Sequence, residues 1–317
     1  MYKNKSICIV IPAYNEEKLI GRVISTLPDW VDWIVAIDDK SQDKTSQVVE
    51  SYRDKLGDKL ILIRHTENQG VGGTTISGFK WARDHNIDIA VVMAGDAQMS
   101  PTDLPAILDP VASGEADYAK GNRLFAGDAW NSIPKVRYLG NSMLSMLTKI
   151  ASGYWHVADS QTGYLAINLR MLQLINWDKT HKRYGCPNDY LVRLNIYNAR
   201  VRDVPIKPIY EPGRKSGIRY SQFIPKTCWL LLKLFLWRMI VKYIIRDFHP
   251  LVLFYAWSAF TGLISLGLLV RLIVLWIANG YIPETTALGA ALFMIISMQF
   301  GLFAMWFDSE QNKDLRA

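Results

Sequence analysis

The chain has 317 residues, half of them hydrophobic, and a formal net charge of +7. That length accommodates one α/β domain of ordinary size and leaves residues over for a further element. Its three cysteines (Cys8, Cys186, Cys228) and five histidines show no paired metal-ligand spacing, which excludes a disulfide scaffold and a structural zinc module; the cysteines read as reduced structural thiols.

The chain passes directly from Met1 into a strand pattern, so no secretory signal is expected. Ser6–Pro12 is an apolar, β-branched run of the kind buried on both faces of a sheet. A helical pattern follows over Glu16–Leu27, then a strand at Trp33–Ile37, a helix after Thr45 and a strand at Leu60–Arg64. A glycine-rich turn leads into a helix reaching about His85, and Ile87–Met93 is a fourth strand. Strands alternating with helices predict a mostly parallel sheet with right-handed crossovers. Beyond Asp117 the pattern is less regular, with helices expected at Val136–Ile150 and around Asp189–Asn198.

The last third changes character. Leu251–Val270 and Thr285–Phe307 carry no charge, and each is long enough to cross a hydrocarbon core of about 30 Å. Neither has the polar face of a buried core helix, so two membrane spans are expected, with Arg271 snorkelling at the far end of the first. Between Arg200 and Asp247 eleven Lys and Arg stand against three Asp and Glu, while the rest of the chain sums to about −1. A basic block beside a span marks the cytoplasmic side and attracts anionic lipid rather than nucleic acid. Within it, Lys226, Lys233, Arg238, Lys242 and Arg246 recur among apolar residues over Phe223–Asp247. This predicts an amphipathic helix in the headgroup layer with its basic side chains at the surface, since five charges are too many for a third span. The expected organisation is a cytoplasmic α/β domain (1–220), an interfacial helix region (221–248) and a two-helix membrane hairpin (249–310) whose turn near Asn279–Glu284 faces the other side. The implied location is an inner or plasma membrane.

Ligands of open α/β sheets bind beyond the carboxyl ends of the strands, and polar loops gather there: Tyr14–Glu16, Asp38–Thr45, Asn68–Gly73 and Ala94–Gln98. Any one of these is an ordinary capping loop; four together mark a site. No G-x-G-x-x-G follows the first strand, and no P-loop motif is present, which disfavours a dinucleotide-binding domain and excludes a P-loop ATPase.

In order and spacing, VIPAYNEE, DDKSQDKT, NQGVGG and VVMAGDAQMSP, followed by KGNR, DSQTGY and PNDY, resemble the family-2 inverting glycosyltransferases of the GT-A fold. With two apolar segments after the domain, the chain is similar to their polyprenyl-phosphate branch. The resemblance implies that Pro12, Tyr14, Glu16 and Asp39 surround the donor nucleoside, with Asp38 there or bracing the loop. It implies that Asp96 and Gln98 hold a Mg²⁺ or Mn²⁺ on the donor diphosphate, that Arg123 and Arg137 grip an acceptor phosphate, and that Asp159 stands at the position of the catalytic base. Relatives carry Asp-x-Asp where this chain has Ala94-Gly95-Asp96, which leaves one carboxylate for the metal.

Arg214 and Lys215 lie in a glycine-flanked loop, suited to closing over a pyrophosphate or to meeting anionic lipid. The expected reaction moves a sugar from a UDP- or GDP-hexose to a polyprenyl phosphate, with inversion. A phosphate monoester is already largely dianionic near neutral pH, its second pKa being about 6, so Asp159 is expected to orient more than to deprotonate. The alternatives are a hydroxyl acceptor in glycolipid synthesis, or a non-catalytic nucleotide-sugar-binding scaffold. A homo-oligomer is compatible with the two-span anchor.

Overall fold

The computed structural model describes residues 1–124, 135–207, 209 and 220–317, with the side chains of 135–139, 141 and 220–223 left aside. The chain divides into two compact units, Met1–Phe235 with Asp314–Ala317, and Leu236–Lys313. The division falls inside the region expected to be interfacial.

The first unit holds seven strands: β1 (Ile7–Ala13), β2 (Trp33–Asp38), β3 (Leu60–Arg64), β4 (Ile89–Val92), β5 (Tyr118–Asn122), β6 (Leu165–Asn168) and β7 (Val201–Pro205). They form one sheet in the order β3-β2-β1-β4-β6-β5-β7. β6 runs antiparallel to both β4 and β5, while the other four pairings are parallel. Because of that reversal, the start of β6 lies at the same sheet edge as the carboxyl ends of β4 and β5.

Helices cover both faces. α1 (Ile20–Ser25), α2 (Thr45–Glu50) and α5 (Leu104–Ala112) pack on Ile7, Ile9, Ile11, Ile34 and Val91. α4 (Gly70–Asp84), α7 (Leu169–Leu174) and α8 (Cys186–Ile196) pack on Val10, Val35, Ile37 and Val92. Alternate residues of β1 thus enter opposite cores, as a strand buried on both sides requires. The approach of α4 depends on Gly78, where an added Cβ would come 2.2 Å from the Val10 side chain. The one-turn helix α3 (Arg53–Leu56) precedes β3, and α6 (Lys135–Ser152) follows β5. α9 (Tyr220–Ile240) leads into a π-helical turn at Val241–Arg246.

In the second unit, α10 (Leu251–Asn279) and α11 (Glu284–Gln311) are both long and apolar enough to cross a membrane. α10 ends on Gly280 in the left-handed conformation, with φ +64°. Small polar residues join the two helices: Ser258 and Ser297 each donate to the other's backbone carbonyl at 2.8 Å, and Ser265 donates to the Ala290 carbonyl at 2.9 Å. Such contacts let two backbones approach closely where no hydrophobic drive exists between helices in lipid.

The basic residues before the first span divide. Lys226, Lys233 and Arg246 are exposed, as the amphipathic pattern expects, and so are Trp229, Leu232, Leu236 and Ile240. Arg238 and Lys242, expected at the headgroups, are instead buried. The Arg238 guanidinium makes two 2.8 Å hydrogen bonds to the two carboxylate oxygens of Asp308, and Lys242 donates to Asn312 at 2.8 Å. The Tyr243 hydroxyl joins the same group, donating to Asp308 and accepting from Asn312, both at 2.8 Å. Burial, and then the neighbouring Arg238, push the Lys242 ammonium down to about 7. Asp308 and Asn312 lie 70 residues from their cationic partners, so local periodicity gives no sign of this cluster.

Candidate active site

The carboxyl ends of β2, β1, β4 and β5, with the start of β6 between the last two, bring Pro12, Tyr14, Glu16, Asp38, Asp39, Asp96, Gln98, Arg123 and Asp159 to one sheet edge. The loops after β1 and β2 are joined by hydrogen bonds. The amides of Asn15, Glu16 and Glu17 donate to Ser41 Oγ, Thr45 Oγ1 and Asp43 Oδ2, at 2.9, 2.8 and 3.1 Å. In return the amides of Gln42 and Lys44 donate to Asn15 Oδ1 and Glu17 Oε2, at 2.8 and 3.0 Å. Asn15 takes a positive φ of 57°, and α1 begins only at Ile20, four residues later than the helical pattern suggests. Pro12 is buried at the end of β1, Glu16 is half-buried, and the Tyr14 ring is exposed.

Asp38 and Asp39 are both buried and both engaged by the protein. Asp38 accepts from the Ser41 amide at 2.9 Å and from the Ser46 hydroxyl, so it braces its own loop. Asp39 accepts from the amides of Gln69 and Gly70 at 2.9 and 2.7 Å, placing its charge at the positive end of α4. His65, bonded to Asp39 at 2.8 Å and to Ser77 at 2.8 Å, fixes the carboxylate from the other side. The two aspartates are thus buried supports of this sheet edge, while Tyr14 is exposed.

The glycines of NQGVGG serve a close approach. An added Cβ at Gly72 would come 2.6 Å from the His181 carbonyl, and the Gly73 amide donates to the Lys182 carbonyl at 3.0 Å. The first turn of α4 is thereby covered by 181–183, with Arg183 bonded to Asn68 at 2.8 Å. Asp189 of the PNDY motif holds the end of that segment, accepting from the His181 amide at 2.6 Å and from Arg193 at 2.8 Å.

After β4, Ala97 takes a positive φ of 57° and the Gln98 amide donates to Asp96 Oδ1 at 3.2 Å. The Gly95 amide donates to the Pro12 carbonyl at 3.0 Å, which holds this turn against the end of β1. Asp96 and Gln98 are half-buried and contribute a carboxylate and an amide, both hard oxygen donors. Among the described residues no group of three or more His, Cys, Asp or Glu is gathered for a metal. The donor set therefore fits a cation that keeps water and shares a diphosphate, as Mg²⁺ does when held by one carboxylate.

Asp159 and Arg123 meet. Asp159 is fully buried and its four acceptor contacts are all filled. Arg123 Nε and its backbone amide donate to Oδ2 at 2.7 and 3.1 Å; Arg123 Nη2 and the Gln161 amide donate to Oδ1, both at 3.1 Å. Burial pushes the Asp159 carboxyl up, but Arg123, with Lys120 behind it, more than offsets this and holds it below the usual carboxylate range. Arg123 itself keeps 23% of its side chain exposed.

Two further residues back this pair. Lys120, fully buried on β5, donates to the Asp159 carbonyl and stands in register with Asp203 of β7. Asp203 accepts from Asn122 at 2.5 Å and from the Ala158 amide at 2.9 Å, which anchors the segment leading to Asp159. Burial lowers the Lys120 ammonium and raises the Asp203 carboxyl, each partly countered by the other's charge. Lys120 lies in the KGNR motif, but neither its role nor that of Asp203 is evident from the sequence pattern. The available signal was an acidic residue inside VRDVP, a strand otherwise without carboxylates. Arg137 lies in α6 with its side chain outside the described residues, as are Arg214 and Lys215 altogether.

Comparison with known proteins gives this geometry a family. The model for "Glycosyl transferase family 2" matches residues 8–174, more than half of the chain. The chain is 32% identical to a UDP-N-acetylglucosamine–dolichyl-phosphate N-acetylglucosaminyltransferase of Methanococcus voltae, over 65% of this chain and 87% of that protein. It is 28% identical to an undecaprenyl-phosphate mannosyltransferase of Micrococcus luteus, over 69% of this chain and 92% of that one. Among solved structures, glucosyl-3-phosphoglycerate synthase of Mycobacterium tuberculosis, with Mn²⁺ and uridine diphosphate bound, superposes with a TM-score of 0.54 at 17% identity. That likeness covers 74% of this chain and 80% of the synthase, and it bears out the GT-A fold expected from the sequence. The chain belongs to glycosyl transferase family 2 and is a glycosyltransferase.

Proposed function

We propose that the enzyme transfers a hexose from a UDP- or GDP-sugar to a polyprenyl phosphate at the cytoplasmic face of a membrane, with inversion. The observation that carries this reading is the partly exposed Arg123 guanidinium at the sheet edge, in a chain that also holds two helices fit to span a bilayer. The match over most of the length of relatives named for dolichyl and undecaprenyl phosphate supports it.

A phosphate oxygen of the acceptor attacks the anomeric carbon, and the bond from that carbon to the donor diphosphate breaks on the opposite side. One displacement inverts configuration, and the nucleoside diphosphate leaves with the bonding pair. The acceptor is largely a dianion near neutral pH, so no group needs to remove a proton. Arg123 suits the acceptor phosphate because its planar guanidinium is permanently charged and rich in donors, and Asp159, which accepts from Nε and Nη2, positions it. Tyr14 receives the donor nucleoside. Asp96 and Gln98 would hold Mg²⁺ or Mn²⁺, which when bound neutralises charge on the leaving diphosphate. A lipid acceptor confined to the bilayer explains the anchor, since tethering both partners to one surface raises their effective concentration.

The test is product formation by full-length protein in detergent, with undecaprenyl phosphate, a divalent cation and a panel of labelled UDP- and GDP-sugars. A labelled lipid from one donor, lost on chelation and in Asp96→Ala, supports the reading. Turnover undiminished by chelation would remove the metal from it, and no labelled lipid from any donor would overturn it.

A further inference from the structure

The side of α11 that faces away from α10 carries a second, unused packing pattern. Leu288, Leu292, Ile295, Gln299, Leu302 and Trp306 follow one another at alternating spacings of four and three residues. This is the register of the a and d positions of a left-handed helix pair. The five apolar members are between 56% and 71% exposed, and Gln299 is exposed among them. At about 100° per residue this seam lies opposite Ala290, Ser297 and Ala304, the small residues spaced seven apart that face α10. The hairpin's internal contact therefore leaves the seam open.

Gln299 gives that seam its meaning. It lies in the uncharged run Thr285–Phe307, three residues beyond the middle, hence about 4.5 Å from mid-depth at 1.5 Å per residue. An amide there, facing hydrocarbon, is strongly unfavourable unless paired, and a glutamine is too short to snorkel as lysine and arginine do. Along the seam it is the one residue that can both donate and accept. Two copies related by a two-fold axis along the membrane normal would bring the positive end of each amide dipole against the negative end of the other. A single polar residue at an a position specifies register and partner number in this way.

We infer that the chain pairs with a second copy of itself in the bilayer through the 288–306 face of α11, with Gln299 against Gln299 of the partner subunit. The inference rests on the reading of α11 as a membrane span, and it stands apart from the identity of donor and acceptor.

The experiment uses the full chain with Cys228→Ser, because Cys228 is the exposed thiol while Cys8 and Cys186 are buried. Single cysteines are placed at Ile295 and Leu302 on the seam, and at Met294, which is 52% exposed but off it. Oxidation in native membranes should give disulfide-linked dimers at 295 and 302 and little at 294. Energy transfer between labelled copies in proteoliposomes, followed as lipid is added, should show association weakened about tenfold by Gln299→Leu, the effect of one interhelical polar contact. That substitution leaves the span apolar, so loss of insertion does not explain such a result. Equal cross-linking at 294 and 295, or association unchanged by Gln299→Leu, would overturn the proposal. Release of the chain by alkaline carbonate would overturn the span reading itself, whatever the state of the transferase activity.

Discussion

Arg123 Nε stands 2.7 Å from Asp159 Oδ2 and Nη2 stands 3.1 Å from Oδ1, so the residue expected to grip a phosphate closes over the residue at the base position. The two cannot be assigned independent tasks. The carboxylate of Asp159 accepts from Nε and Nη2 and so sets the plane of the guanidinium. An acceptor phosphate at this edge then competes for, or adds to, contacts that Asp159 has already oriented.

Removal of the Arg123 side chain leaves a buried carboxylate with two backbone amides and only the Lys120 ammonium nearby to balance its charge. Arg123→Ala should lower stability by about 3 kcal/mol, because breaking one side of a buried pair uncovers the other charge. Asp159→Asn, which keeps the shape and removes the charge, should cost less. Chemical denaturation of the full-length protein in detergent, comparing midpoints at unchanged slope, measures both.

Asp159 has a depressed carboxyl pKa, so it is ionised in the folded enzyme across the neutral range. The sign follows: stability from the pair is present above the ordinary value of 3.8 and is lost as pH falls through the lower folded value. Activity loss in Asp159→Asn should therefore be uniform from about pH 6 to about pH 8.5, the pattern of a positioning residue. A loss that deepens toward acid pH would assign the residue as a base instead.

Lys120 and Asp203 face each other in register across β5 and β7. Lys120→Met leaves Asp203 buried without its counter-charge, and Asp203→Asn leaves Lys120 with only the charge of Asp159. The double variant should be less destabilised than the sum of the two, by about 1–3 kcal/mol in a mutant cycle. Additive effects would show that the two groups are independent.

Gly72→Ala forces a Cβ to within 2.6 Å of a backbone carbonyl, and backbone cannot yield as a side-chain tip does. A cost of about 1–3 kcal/mol is expected, together with a raised KM for the donor as 181–183 lifts from α4. Gly140→Ala, where an added Cβ meets nothing within 4 Å, is the control, and it should be neutral or stabilising.

The sequence made the first half of the sheet legible because β1 to β4 are short apolar runs, each ending in a polar loop at one edge. It predicted α6 as Val136–Ile150 against the observed Lys135–Ser152, for the same reason of clear periodicity. The reversed β6 was not legible, since a four-residue strand carries no sign of its direction. Nor were the pairings that decide side-chain roles. Arg123 finds Asp159 36 residues away, and Arg238 finds Asp308 at 70. A positive charge among apolar residues reads as a surface snorkel until its distant partner is known, and local pattern alone therefore puts Arg238 and Lys242 at the headgroups.

The choice of acceptor tests the account most directly. Proteoliposomes containing the enzyme would be given one labelled nucleotide sugar and, in parallel, undecaprenyl phosphate or undecaprenol. The account predicts label in lipid with the phosphate alone, and loss of that product in Arg123→Lys, which keeps the charge and removes the fork. Transfer to undecaprenol, with none to the phosphate, would contradict it and return Asp159 to the role of a base.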